Sequence, residues 1–60
     1  METIYIIIET IGDLNTVVDK AYFYYTDAFN KAKELEFESH SKGYIDFKYS
    51  VKELEIIGLK

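Results

Sequence analysis

Hydrophobic and polar positions follow three different regimes along this 60-residue chain, and each regime predicts an element. Thr3 to Ile11 reads Thr-Ile-Tyr-Ile-Ile-Ile-Glu-Thr-Ile. Its β-branched and aromatic residues fit a pleated surface. Alternation places Ile4, Ile6 and Ile8 on one face and Tyr5, Ile7, Glu9 and Ile11 on the other. Both faces begin apolar, which predicts a central strand covered on each side. Gly12-Asp13-Leu14-Asn15 has turn chemistry, because Gly, Asp and Asn tolerate left-handed backbone. Thr16 to Tyr25 then reads as a second, returning strand. Val17, Asp19, Ala21, Phe23 and Tyr25 share one of its faces, and Val18, Lys20, Tyr22 and Tyr24 share the other.

From Asp27 to about His40 the spacing changes to three and four. Ala28, Ala32 and Leu35 form one stripe with Phe29 on its flank, and the alanines permit close approach to a sheet. Thr26 is the expected N-cap, with Asp27 favoured in the first turn by the helix dipole. Gly43 is the expected left-handed C-terminal cap, with His40 and Lys42 suited to the negative end. Phe37 points away from the alanine stripe. It is either an exposed contact residue or a ring wrapped under the helix end. Tyr44 to Val51 alternates again, with Ile45, Phe47, Tyr49 and Val51 on one face. The apolar phase then passes to Leu54 and Ile56, which predicts a bulge or kink at Lys52-Glu53 in preference to a short turn into a final strand, for which Lys-Glu is poor chemistry. Gly58-Leu59-Lys60 is expected to fray.

The expected fold is therefore α+β over one domain, residues 1–60: a three-stranded antiparallel sheet with one helix on one face, in the order β-β-α-β. A competing pattern exists. Val18, Ala21, Tyr25, Ala28, Ala32 and Leu35 would also make the seam of one long helix from about Asn15 to Ser39, flanked by strands and dimeric. The strand-forming run at Val17-Val18 and Ala21–Tyr25, and Thr26-Asp27 in what would be mid-helix, favour strand followed by helix.

Composition narrows the possible chemistry. Cysteine is absent and His40 is the only histidine, so disulfides, thiolate sites and histidine-rich metal sites are excluded. No metal or other cofactor is expected. The net charge is −4, with seven lysines and no arginine, so ordinary nucleic-acid binding is disfavoured. Ile4–Ile8 is too short for an export signal or a membrane span, and a cytoplasmic location is expected. Glu34 and Glu38 lie one helical turn apart with Glu36 offset. Lys31 and Lys33 stand beside them, which favours a solvated face over a cation or acid–base site. Ser39-His40-Ser41 is adjacency without triad geometry. No catalytic set can be assembled, and an enzyme is not expected.

Six tyrosines and four phenylalanines are more rings than so small a core can hide. Tyrosine suits interfaces because it buries a ring and keeps a polar tip. Tyr22 and Tyr24, extended by Tyr5 or Ile7, are expected on the bare sheet face, as the contact of a homodimer or of a protein partner. Phe37 is a further candidate.

Tyr5 early in the first strand, Tyr24-Tyr25-Thr26-Asp27 leading into an alanine-bearing helix, and Gly43-Tyr44-Ile45 before the last strand resemble a family of small uncharacterised bacterial and phage β-β-α-β domains. That resemblance implies a fold, supplies no catalytic residues, and points to a phage or other mobile element as the source. The expected function is a non-enzymatic protein-binding module. In its sharper form it is a phage-encoded inhibitor of a host or anti-phage defence protein. Two alternatives are carried: an acidic nucleic-acid mimic using Glu34, Glu36 and Glu38, and a weak single-stranded nucleic-acid binder stacking bases on Tyr22, Phe23 and Tyr24.

Overall fold

The computed structural model describes residues 2–56. The expectation for Gly58-Leu59-Lys60 lies outside them. The elements are β1 (Glu2–Ile11), β2 (Leu14–Tyr22), α1 (Tyr25–Ser41) and β3 (Phe47–Ile56). The strands form one antiparallel sheet in the order β2-β1-β3, so β1 is central and both partners are edges. The chain is α+β with β-β-α-β order, as the periodicity predicts, and the long-helix alternative is excluded.

The β1–β2 hairpin closes with Ile11 paired to Leu14, leaving Gly12-Asp13 as a two-residue loop. Gly12 has φ 62° and Asp13 is not in the positive region. A glycine of positive φ in the first loop position is the pattern of a type II′ turn, whose twist matches that of the strands. The hairpin then departs from regular pairing. Tyr5 pairs with Tyr22 but Ile7 with Val18, so β2 spends two extra residues opposite Ile6. Asp19, within that insertion, has φ 64°. Two extra residues preserve alternation, so Val18 and Tyr22 both pack against the core.

The core lies between α1 and the sheet. Ile7, Ala28 and Ala32 are buried, and Tyr5, Val18, Tyr22, Leu35, Tyr49 and Val51 pack around them. The two alanines let the helix axis approach Ile7 closely. Apart from Leu35 of α1, the larger residues that fill the space beside so narrow a stripe come from the sheet.

The helix starts earlier than its sequence signals. Tyr24, not Thr26, is the N-cap; its backbone is extended (φ −120°, ψ 133°) and no side chain caps the helix. Tyr25 is helical rather than the end of a strand. Its ring stacks on Phe29 one turn later, with centroids 5.8 Å apart, and meets Tyr5 edge-on at 5.7 Å. Those contacts exist only if Tyr25 belongs to the helix. The C-terminus follows expectation. Gly43, at φ 94°, donates to the His40 carbonyl at 3.0 Å, and Tyr44 N–H donates to the Ser39 carbonyl at 2.9 Å, which together form a Schellman motif.

β3 corrects a second expectation. It pairs with β1 without interruption from Phe47·Ile11 to Ile56·Glu2, so there is no bulge at Lys52-Glu53. The apolar residues change face instead. Phe47, Tyr49 and Val51 lie on the helix side. Beyond Tyr5 the helix no longer covers that side, and Glu53 and Glu55 occupy it. Leu54 and Ile56 lie on the opposite face, opposite Ile4 and Glu2.

The hairpin turn gives a first test. A Cβ on Gly12 would meet no atom within 4 Å, so only backbone strain opposes a substitution. Gly12→Ala is expected to lower stability by about 1–2 kcal/mol through the left-handed conformation alone, read as a shifted urea midpoint with an unchanged slope.

Candidate functional site

Among the described residues, no element covers the face of the sheet away from α1. Alternation from the buried Ile7 places Ile4, Ile6 and Ile8 on it, and pairing adds Val17 from β2 and Leu54 and Ile56 from β3. None of these six is buried, and Val17 is 56% exposed. Thr10, Asn15 and Ser50 complete the paired positions, with charge only at Lys48, Lys52 and Glu2. Apart from Glu2 at its end, that face carries no paired acid: Glu9, Glu53 and Glu55 are on the helix side of the sheet, and Asp27, Glu34, Glu36 and Glu38 are on the helix. A chain of net negative charge thus presents an apolar strip bordered by two lysines.

This is not the face expected from the tyrosines. Ile7 is 0% exposed beneath the helix and cannot contact a partner. Tyr5 and Tyr22 pack against the same core, so they are not on the bare face either. The physical reason is the width of the alanine stripe. Tyrosine rings fill the flanks of a narrow helix face while their hydroxyls reach the margin. There Tyr22 donates to the Asp19 carboxylate, and Tyr49 donates to Glu9 Oε2 at 2.7 Å. Tyr24 and Phe37 are exposed, at 71% and 76%. Tyr24 lies in the β2–α1 connection, and Phe37 lies on the helix away from the core. The structure does not bring them together with Tyr5, Ile7 and Tyr22 as one surface. The alternation of Ile4, Ile6 and Ile8 was the available signal for the uncovered face, but it identified two apolar faces without saying which one the helix takes.

The polar clusters are structural. Ser39 Oγ and Tyr49 OH lie 2.8 Å apart, so a hydroxyl–phenol–carboxylate chain runs from α1 through Tyr49 to Glu9 on β1. It ties the C-terminal half of the helix across β3 to the central strand. His40 Nε2 donates to the Phe47 carbonyl at 3.2 Å and fastens the same end. Glu34 pairs with Lys31 at 2.7 Å on an exposed surface, Glu38 is exposed, and half-buried Glu36 lines a groove. No group of three potential metal ligands occurs among the described residues. The groove, about 260 Å³, runs between α1 and β3 and is lined by Tyr25, Phe29, Lys33 and Glu36 on one side and Tyr49 to Val51 on the other. No helix of the described residues is long and apolar enough to cross a membrane.

The chain matches no protein-family model, no curated protein and no solved structure.

Two phenols are held above the ordinary tyrosine pKa of 10.0. For Tyr22 the chief cause is the hydrogen bond to Asp19; for Tyr49 it is desolvation, which the Ser39 hydrogen bond opposes and the bond to Glu9 reinforces. The folded state therefore holds these protons more tightly than the unfolded chain does. The stability they contribute is complete below pH 10 and is lost as pH rises through the raised values. Unfolding midpoints in urea are expected to fall above about pH 10, and Tyr22→Phe with Tyr49→Phe should flatten that fall.

Proposed function

We propose that this chain is a non-enzymatic protein-binding module whose partner seats on the uncovered sheet face. The observation that carries the reading is the strip of Ile4, Ile6, Ile8, Val17, Leu54 and Ile56, which no element among the described residues covers. Contiguous exposed apolar surface on a small protein marks an interaction site. Lys48 and Lys52 beside the strip select a partner with an apolar surface and acidic flanks, since electrostatic complementarity sets orientation and rejects wrong partners. The acidic outer surface of α1 keeps the remaining faces soluble and repels phosphate backbones. Inhibition of a host or anti-phage defence protein is the specific form that the resemblance to phage domains implies.

The alternatives fare less well on the placement of side chains. Stacking of single-stranded bases requires rings on an open sheet face, and the paired positions of that face hold none. Phosphate mimicry requires a row of unpaired acids, and Glu34 is paired with Lys31.

The test is site-specific photocrosslinking in a lysate of the source cell. A photoreactive amino acid in place of Ile8 or Val17 is expected to capture a partner that the same amino acid in place of exposed Glu38 does not capture. Ile8→Lys should weaken the purified complex by about 2 kcal/mol, the scale of an interface hot spot. Equal capture from Glu38, or binding indifferent to Ile8→Lys, overturns the sheet-face reading.

A further inference from the structure

The two edges of the sheet differ in a way that bears on self-association. β2 is blunted by its two-residue insertion and by Asp19 at φ 64°, the kind of irregularity that keeps an edge strand from pairing. β3 is ten residues long, has no proline, no positive φ and no break in register, and its outer edge is unpaired. Alongside it runs the groove under Phe29 and Tyr25. We propose that a second copy of this chain pairs with β3 antiparallel about a twofold axis at Val51. The product is a six-stranded sheet with both helices on one side.

The register follows from alternation and charge. Outward-pointing amides meet outward-pointing carbonyls only when residues of the same parity are opposite, which also keeps both helices on one face. Centred on Val51, Val51 lies opposite its own copy, Ser50 opposite Lys52, Tyr49 opposite Glu53, Lys48 opposite Leu54 and Phe47 opposite Glu55. No like charges face each other. A shift to a Lys52 centre sets Lys52 against Lys52, and a shift to a Ser50 centre sets Lys48 against Lys52. Both place like charges directly opposite, which is destabilising, and a Tyr49 centre, free of that clash, pairs only the stretch from Phe47 to Val51 where the Val51 centre pairs Phe47 to Glu55.

The groove supports the same axis independently. Its strand wall is Tyr49, Ser50 and Val51, so the twofold runs beside it. Because α1 packs mainly over β3 and β1, strands about 4.8 Å apart bring the two helices to about 10 Å, within the ordinary spacing of packed helices. The groove-lining Phe29, Lys33 and Glu36 of the two antiparallel helices then border one shared seam. Lys33 is already 5.3 Å from the Phe29 ring centre within one copy. Sidechains that line a half-open groove in one chain close it in two.

Sedimentation equilibrium of the 60-residue chain and of Ser50 variants tests this, because Ser50 is exposed and faces away from the core. A concentration-dependent dimer is expected. Ser50→Lys, which meets Lys52 twice by symmetry, should raise the dissociation constant by roughly two- to thirtyfold, and Ser50→Glu should lower it by a similar factor. Ser50→Lys with Lys52→Glu should bring the constant below the wild-type value, to that of Ser50→Glu, because both variants set opposite charges face to face. Circular dichroism of the monomer should be unchanged in all of them. Two results overturn the proposal. One is a wild-type monomer at high micromolar concentration. The other is a dimer insensitive to the Ser50 charge but abolished by Ile8→Lys, which would place the contact on the uncovered face instead.

Discussion

The close approach of Ala28 and Ala32 to Ile7 is the constraint on which the rest of this fold depends. These are the buried residues of the described chain, and they bring one helix against the middle of the central strand. With so small a buried set, the margin of stability rests on the partly covered ring of Tyr5, Val18, Tyr22, Leu35, Tyr49 and Val51. An alanine stripe is too narrow to cover a three-stranded sheet. The sheet must therefore supply the bulk, and tyrosines do so without leaving their hydroxyls buried. Tyr22 and Tyr49 end on carboxylates at the margin of the interface, and Tyr49 also meets Ser39. Polar satisfaction and hydrophobic filling are thus carried by the same residues, which is how a chain of this size assembles a core without disulfides or metal.

The same narrowness decides where the chain remains open. A single helix covers one face, and its cover ends near Tyr5. On the covered face the residues past that point become acidic, at Glu53 and Glu55. On the uncovered face they stay apolar, at Ile4, Leu54 and Ile56. With Glu2 the exception, the paired acids of the sheet and its uncovered apolar strip lie on opposite sides. The described surface accordingly offers a lysine-bordered apolar face on one side and a groove along the edge of β3 on the other.

Much of this was legible in the sequence. The alternation of Thr3 to Ile11, the turn at Gly12, the Ala28–Ala32–Leu35 stripe and the Gly43 cap are local signals, and each specifies its element without tertiary help. The failures share a cause. The joint between β2 and α1 contains Phe23, Tyr24 and Tyr25, whose intrinsic preference is for strand. Stacking of Tyr25 on Phe29 and its edge contact with Tyr5 outweigh that preference, and neither contact can be read from spacing alone. The switch of apolar residues from Val51 to Leu54 reads on paper as a bulge or a short turn, whereas the unbroken strand changes its apolar face, and only the length of helical cover reveals that. The uncovered face was missed for a related reason. Both faces of β1 are apolar, and tyrosine's surface habits pointed to the wrong one.

The insertion opposite Ile6 has a consequence for how this chain can vary in length. Sidedness in a hairpin is a matter of odd and even counting. Because β2 carries two residues more than β1 over that interval, the return strand arrives at Tyr22 in step with Val18. Losing one residue among Asp19, Lys20 and Ala21 would invert everything after it, sending the Tyr22 ring away from the alanines. Losing two would only straighten the hairpin. Length changes in this strand are therefore tolerated in pairs. A lineage of such domains would be expected to show hairpins of differing length that nonetheless agree in parity, with Tyr22 or its substitute always returning beneath the helix.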